Sequence, residues 1–408
     1  MAKRILISLF SAIFIISLAI AIIFYGRGYR FDPSKQKLSS TGILSVSSYP
    51  EKCSIYVDDK LVSATNASLS LAPGWYQVKV GRDGYQPWGK RIKIEGEVVS
   101  QIDALLIPNN PSLKALTSVG IIKPTLSPSG TKVAYLVKDS DTNPITLKSK
   151  NGLYILELKS GPLGNQPESK QVFFADSAIN YDQALIYWSA DEKEIILAFR
   201  DPKSVTRLPS LAYLISTENS QIPPTVSTSR TQTILDDWQA ELTLKENLKL
   251  DSLPKTLGNY LATNSANIRY SPDETKILYQ ATGSAELLPV ITPPLIGTNP
   301  TDEQRKIVKD KFYVYDIKED RNYFIADLNT KLSPPQIPLW YTDSKHLVMV
   351  EKDRINIVDF DGTNKRSVYS GPFLDNLVLP WASGGKIVIE TNLNRPIGFA
   401  DLYEVDLR

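Results

Sequence analysis

Few side chains in this 408-residue chain are suited to attack a bond, carry a proton or hold an ion. There is one cysteine, Cys53, and one histidine, His346. Zinc needs several such ligands, so one of each leaves no metal site of that kind. A nucleophile needs a base beside it. His346 is the sole histidine, and it opens a strand-like run, His346-Leu347-Val348, with no nucleophile-elbow pattern anywhere. Glycine-rich phosphate loops are absent as well. The run from Asp139 through Asp141 and Asn143 imitates the start of a calcium loop. It fails where glycine and glutamate are required, because Pro144 and Lys150 stand there. Carboxylate pairs at Asp58-Asp59, Asp191-Glu192 and Asp359/Asp361 fall at turns, where acidic residues serve the backbone. The chain therefore reads as non-enzymatic, with no cofactor and no metal.

Binding chemistry is better represented. Trp75, Tyr76, Tyr85 and Trp88 form a dense aromatic set, and aromatic faces stack on sugar rings or on partner side chains. These four are the candidate ligand or partner contacts. Trp88, after Pro87, is expected to be the exposed member, whereas Trp75 and Tyr85 serve equally well as filling for a thin core. Lys90, Arg91 and Lys93 read as the solvated side of an edge strand.

The elements that must position these residues are mostly strands. Twenty-seven prolines, 21 glycines and 20 tyrosines with only two methionines suggest short strands joined by turns. A 42% hydrophobic and 22% charged composition is that of globular protein, and a net charge of +2 gives no basic excess for nucleic acid. One cysteine allows no internal disulfide, so the redox compartment is left open.

Residues 5–25 carry no charge. At ~1.5 Å per residue the run is long enough for a bilayer core. It continues past the small-x-small site at Ala19-Ile20-Ala21, which favours a retained anchor over a cleaved signal. Residues 1–30 are thus expected to form a single transmembrane helix, followed by a polar linker over 31–40. Lys3 and Arg4 place the amino terminus inside, whereas Arg27, Arg30, Lys35 and Lys37 argue the reverse. The expected topology puts the body outside the cytoplasm.

Period-two alternation then begins. Ile43, Leu44 and Val46, Ile55 to Val57, Leu69 and Leu71, Trp75, Val78 and Val80, and Ile92 and Ile94 are separated by turn signals. This pattern fits a small antiparallel sandwich over 41–108. The stretch from Gly42 to Ile94 resembles the PEGA domain family, most clearly at Pro73-Gly74-Trp75-Tyr76, Val78, Val80 and Gly84-Tyr85. The sequence departs at Lys52-Cys53, where the family has Gly-Ala, and at Asp59, where Gly is common. The resemblance implies that Cys53 replaces a small inward-facing alanine, and a free cysteine packs as a small hydrophobe. It also implies a surface or envelope role, with contact to wall glycan.

Over 113–408 one shape recurs: an aromatic or apolar residue, Ser or Thr, a polar turn and an apolar strand. It appears at TLSPSGTKVAYLV, YWSADEKEIILAF, RYSPDETKILYQA, WYTDSKHLVMVEK and PWASGGKIVIETN. The shared Ser/Thr positions are 127, 189, 271, 342 and 383, and the last step matches the ~40-residue unit of a propeller blade. Several units add a second strand ending in Asp or Glu. The repeats resemble those of TolB-like and WD40-like β-propellers, best at Ser271-Pro272-Asp273, which implies a protein or peptide partner. Five blades are visible, the long steps leave room for a sixth, and residues 113–120 are expected to supply the outer strand of the last blade. Two insertions break the pattern. Residues 231–262 read as helix, started by Thr233 and Asp236 and broken at Pro254, with Ile234, Leu235, Trp238 and Leu242 on one face. Residues 288–310 are Pro-rich and then charged. Both read as decorations or as partner-docking surfaces.

The expected protein is mainly β: an amino-terminal transmembrane helix, a PEGA-like sandwich and a propeller. It binds or scaffolds at the cell envelope, touching wall glycan or an envelope protein. Two alternatives are a membrane-tethered sensor or assembly factor facing the cytoplasm, and a hydrolase or lyase sited in the propeller channel.

Overall fold

The computed structural model describes residues 2–26, 29–32, 37–138, 151–159, 167–174, 181–200, 209, 211–218, 224–328, 336–374, 377–393 and 400–407. The calcium-loop imitation at 139–150, and Arg27 and Lys35, lie outside them. Two compact units emerge: 1–109 with 291–303 and 318–321, and 110–290 with 304–317 and 322–408.

The first unit begins with helix α1, Ala2–Gly26. The side chains described within it, 9–23 with 25 and 26, are all exposed. Among the described residues, no helix is long and apolar enough to cross a membrane. The expected linker is in part a hairpin, since β1 (Tyr29–Asp32) pairs antiparallel with β2 (Lys37–Ser40). The Tyr29 hydroxyl donates to Glu97 Oε1 at 2.7 Å.

The sandwich follows as β3 (Gly42–Tyr49), β4 (Ser54–Val57), β5 (Lys60–Ala64), β6 (Ala67–Leu71), β7 (Gly74–Gly81), β8 (Tyr85–Gln86), β9 (Trp88–Ile94), β10 (Val99–Leu105) and β11 (Ile107–Pro108). One sheet has the order β5-β4-β7-β9, the other β10-β3-β6, and β11 pairs with β8. The expected all-antiparallel pairing is corrected at one place: β10 runs parallel to β3. A parallel pair needs a long crossover, and here the whole four-stranded sheet lies between the two strands in the chain. Leu44, Val46, Ile55, Val78, Val80, Ile92, Ile94 and Ile102 fill the space between the sheets. Cys53 is fully buried among them, with its thiol 3.1 Å from the Pro50 carbonyl oxygen. Burying a side chain of that size adds about 1 to 2 kcal/mol of hydrophobic stabilisation.

Among the described residues, the second unit holds five four-stranded sheets. The first comprises Ile122–Leu126, Lys132–Val137, Gly152–Glu157 and Lys170–Phe174. The second comprises Ala184–Trp188, Glu194–Phe199, Leu211–Ser216 and Thr225–Val226. The third comprises Ser265–Tyr270, Lys276–Ala281, Lys311–Asp316 and Arg321–Asp327. The fourth comprises Leu339–Trp340, His346–Glu351, Arg354–Asp359 and Arg366–Ser370. The fifth comprises Val378–Pro380, Lys386–Thr391 and Asp401–Asp406, and is completed by Leu113–Ala115 from the start of the unit. Consecutive meanders with a borrowed last strand are the strand plan of a five-bladed propeller. Buried clusters join sheet one to sheet two, three to four, and five to one.

Every blade turns from its first to its second strand in the same way. The backbone N–H of Gly130, Glu192, Glu274, Ser344 and Gly384 donates to the carbonyl three residues earlier, at Ser127, Ser189, Ser271, Tyr341 and Trp381. Those five donors all have positive φ, from 57° to 74°. This register corrects two repeat anchors: the structural equivalents of Ser127 are Tyr341 and Trp381, not Thr342 and Ser383. In the serine blades the hydroxyl accepts the N–H of Lys132, Glu194 or Lys276. Tyrosine and tryptophan keep the backbone turn and drop that bond.

The helical insertion starts earlier than its sequence suggests. Helix α2 spans Thr228–Asp251, so Thr233 lies inside it and bonds the Ser229 carbonyl. Helix α3 spans Lys255–Asn264, after Pro254 as expected. Ile234, Leu235 and Trp238 pack on Ile196, Ala198 and Ala212 of sheet two. Leu250, Leu257, Tyr260 and Leu261 pack on Ile277 and Tyr279 of sheet three. The two helices thus stand between the second and third sheets.

Candidate functional site

The aromatic set does not gather in one place. In β9 the inward residues are Ile92 and Ile94, and Trp88 shares their parity. It is therefore buried at 3% exposure, paired across the sheet with inward Val80. The expectation that Trp88 is the exposed member is corrected: it is core. Trp75 has the opposite parity to Val78 and Val80 on β7, and is 48% exposed. Tyr76 and Tyr85 are half-buried against the core. The Tyr76 hydroxyl bonds the Ala72 carbonyl, and Arg82 lies 5.5 Å from the Tyr85 ring centre.

Around Trp75 the outer side of the four-stranded sheet carries groups that were not read as a site. Lys93 is opposite Trp75 and Arg91 opposite Gln77. Lys79 sits between Gly89 and Tyr56 on its two neighbouring strands. The Arg91 guanidinium lies 4.9 Å from the Trp75 ring centre, a cation–π distance. Lys93 is held by Glu95 at 2.7 Å. The carboxyl of Glu95 is kept below the usual range by Lys93 and by the Gly297 N–H. Two aromatic rings, Trp75 and Tyr56, with an amide and three cations thus share the outer sheet surface bounded by the edge strand β9. Such a surface suits stacking on a pyranose ring and charge pairing with its anionic substituents. β9 is an edge strand with Arg91 and Lys93 exposed, as expected, but Lys90 is corrected: it has the parity of Trp88 and Ile92, is half-buried and reaches Asn299 at 2.9 Å.

His346 is buried, with Nδ1 2.6 Å from Asp343 and Nε2 3.3 Å from Asp359. Burial pulls its pKa down, but the two carboxylates outweigh this and raise it to about 10. Both ring nitrogens are engaged by carboxylates, so the side chain ties the turn to the third strand of its sheet. Among the described residues, no group of three or more His, Cys, Asp or Glu is placed to hold a metal ion. The five innermost propeller strands read IKPTL, ALIYW, SANIRY, LW and VLP. None carries a carboxylate or histidine.

Residues 41–109 match the family model described as PEGA domain. No curated protein matches the chain. Among solved structures, the chain is similar to TolB from Acinetobacter baumannii at 13% identity, covering 81% of this chain and 55% of that one, with a TM-score of 0.18. It thus spans about half the length of that TolB. The putative TolB from Agrobacterium tumefaciens is 12% identical, with 91% and 100% covered and a TM-score of 0.18. The β-propeller domain of the Trilobed protease from Pyrococcus furiosus is 11% identical, with 91% and 84% covered and a TM-score of 0.18. At such scores the assignment of blades rests on the strand order given above.

Proposed function

We propose that the protein is a membrane-tethered envelope protein that binds and does not catalyse. In this reading the uncharged run 5–25 seats α1 in the bilayer, and the body lies outside the cytoplasm. The sandwich contacts wall glycan and the propeller holds a protein partner. The observation that carries the reading is the exposed Trp75 ring, braced by Arg91 on a basic sheet face. The PEGA match over the same strands supports it. The lack of acid or histidine on the innermost strands favours binding over hydrolysis in the channel. The test is co-sedimentation of the detergent-solubilised full chain with isolated cell wall. Trp75→Ala and Arg91→Ala are expected to abolish most of the pelleting, while Asp83→Asn leaves it intact. Equal pelleting by all variants, or none by the wild type, rejects the glycan reading.

A further inference from the structure

The Pro-rich segment is held tightly, yet its tip faces water. Ile291 N–H donates to Asp320, Gly297 N–H to Glu95 Oε2 at 2.8 Å, and Asn299 N–H to Glu319. Arg321 grips the Asn299 carbonyl and the Thr298 hydroxyl. Gly297 turns the chain at φ 71°, and a Cβ there would collide with Val98. Between these fixed points stand Leu295, 46% exposed, and Ile296, 75% exposed. No other large hydrophobic side chain among the described residues is more exposed than Ile296. A fixed backbone that presents Leu and Ile outward calls for an apolar partner.

The location names that partner. Glu95 and Val98, which seat Gly297, belong to the turn between β9 and β10. The first residue of β10, Val99, pairs with Ile43, and these two are 57% and 41% exposed. The same turn receives the hairpin that follows α1, because Glu97 accepts the Tyr29 hydroxyl. Both carboxylates of the turn are engaged, Glu95 by Lys93 and Gly297, Glu97 by Tyr29. These four exposed apolar side chains, Ile43, Val99, Leu295 and Ile296, therefore lie about the turn that meets the hairpin following α1.

We propose that Leu295, Ile296, Ile43 and Val99 rest in the interfacial layer of the bilayer that holds α1, so that the sandwich is seated on the membrane surface and does not swing from its tether. This rests on the tether proposed above. Shallow burial of such side chains is how interfacial segments hold to lipid.

The test uses the full chain in phosphatidylcholine vesicles, with single cysteines at Ile296, Phe14 and Asp83 carrying an environment-sensitive fluorophore. The native Cys53 is buried, and unlabelled wild-type protein serves as the blank. Asp83 lies at the far end of β7 from Gly74 and Ile94. Lipids carrying a shallow quencher are expected to remove most of the emission from Ile296→Cys and little from Asp83→Cys, with Phe14→Cys quenched by a deep quencher. Quenching at Phe14 without quenching at Ile296 overturns the seating and leaves the tether standing. No quenching at Phe14 overturns the tether, and the seating with it.

Discussion

The Nε2 of His346 lies 3.3 Å from the Asp359 carboxylate, and the two residues face each other across the second and third strands of the fourth blade. At the same strand position the third blade sets Lys276 opposite Asp316, 3.5 Å apart. In the first and fifth blades Lys132 and Lys386 open the second strand, and their ammonium groups pair with Glu192 and Glu404. The only histidine of the chain thus stands where three of the other four blades have a lysine, and the second blade has Glu194.

His346→Lys is expected to keep the fold, whereas His346→Leu should cost about 3 kcal/mol by stranding the carboxylates. The pH dependence has a definite sign. The folded pKa, about 10, exceeds the ordinary 6.5, so the contribution is complete below pH 6.5 and is lost as pH rises through 10. Urea unfolding from pH 6 to 10 should show a decline in the wild type that His346→Lys lacks.

Asp273 works at the other end of the pH scale. Burial raises its pKa, but the Ser271 hydroxyl, the Thr275 N–H and hydroxyl, and Lys276 lower it further, to about 2. Its contribution is present above the ordinary value of 3.8 and disappears as pH falls through 2. Asp273→Asn should lower stability at pH 7 by about 1 kcal/mol and flatten the acid limb of the melting curve between pH 4 and 2.

The two tryptophans of the sandwich should behave oppositely. Trp88→Ala empties core space and is expected to cost about 3 to 5 kcal/mol. Trp75→Ala removes an exposed ring and should change stability by under about 1 kcal/mol. Denaturant titrations of both variants give the comparison directly, and similar losses would contradict the burial described here.

Closure of the propeller depends on a small polar knot. Asp401 accepts the Thr117 hydroxyl at 2.9 Å and the Gly120 N–H at 3.1 Å, and Thr117 accepts the Leu402 N–H. All three bonds are buried. Asp401→Ala should cost about 2 kcal/mol, and exchange should quicken selectively at the amides of Leu113–Ala115 and Asp401–Asp406.

Much of this was legible in the sequence, and the misses have physical reasons. Alternation located the strands, and the Ser-turn-strand repeat located the blades; the borrowed strand expected over 113–120 occupies only Leu113–Ala115. Parity would also have placed Trp88 inside, since it is in phase with Ile92 and Ile94, but Pro87 suggested a turn. Thr342 and Ser383 were misphased because the repeat is a backbone pattern that tolerates tyrosine or tryptophan at the anchor. The parallel β3–β10 pair and the bond from Gly297 to Glu95 join residues far apart in the chain, where no local pattern records them. The cationic surroundings of Trp75 became a face only once β7 and β9 were in register.

The most direct test of the central claim is the topology of the intact protein. An alkaline phosphatase reporter fused after Arg408 should be active in cells, and a reporter that works only in the cytoplasm should be silent at the same position. The reverse pattern would put the sandwich and its Trp75 face in the cytoplasm, and would contradict an envelope-binding role.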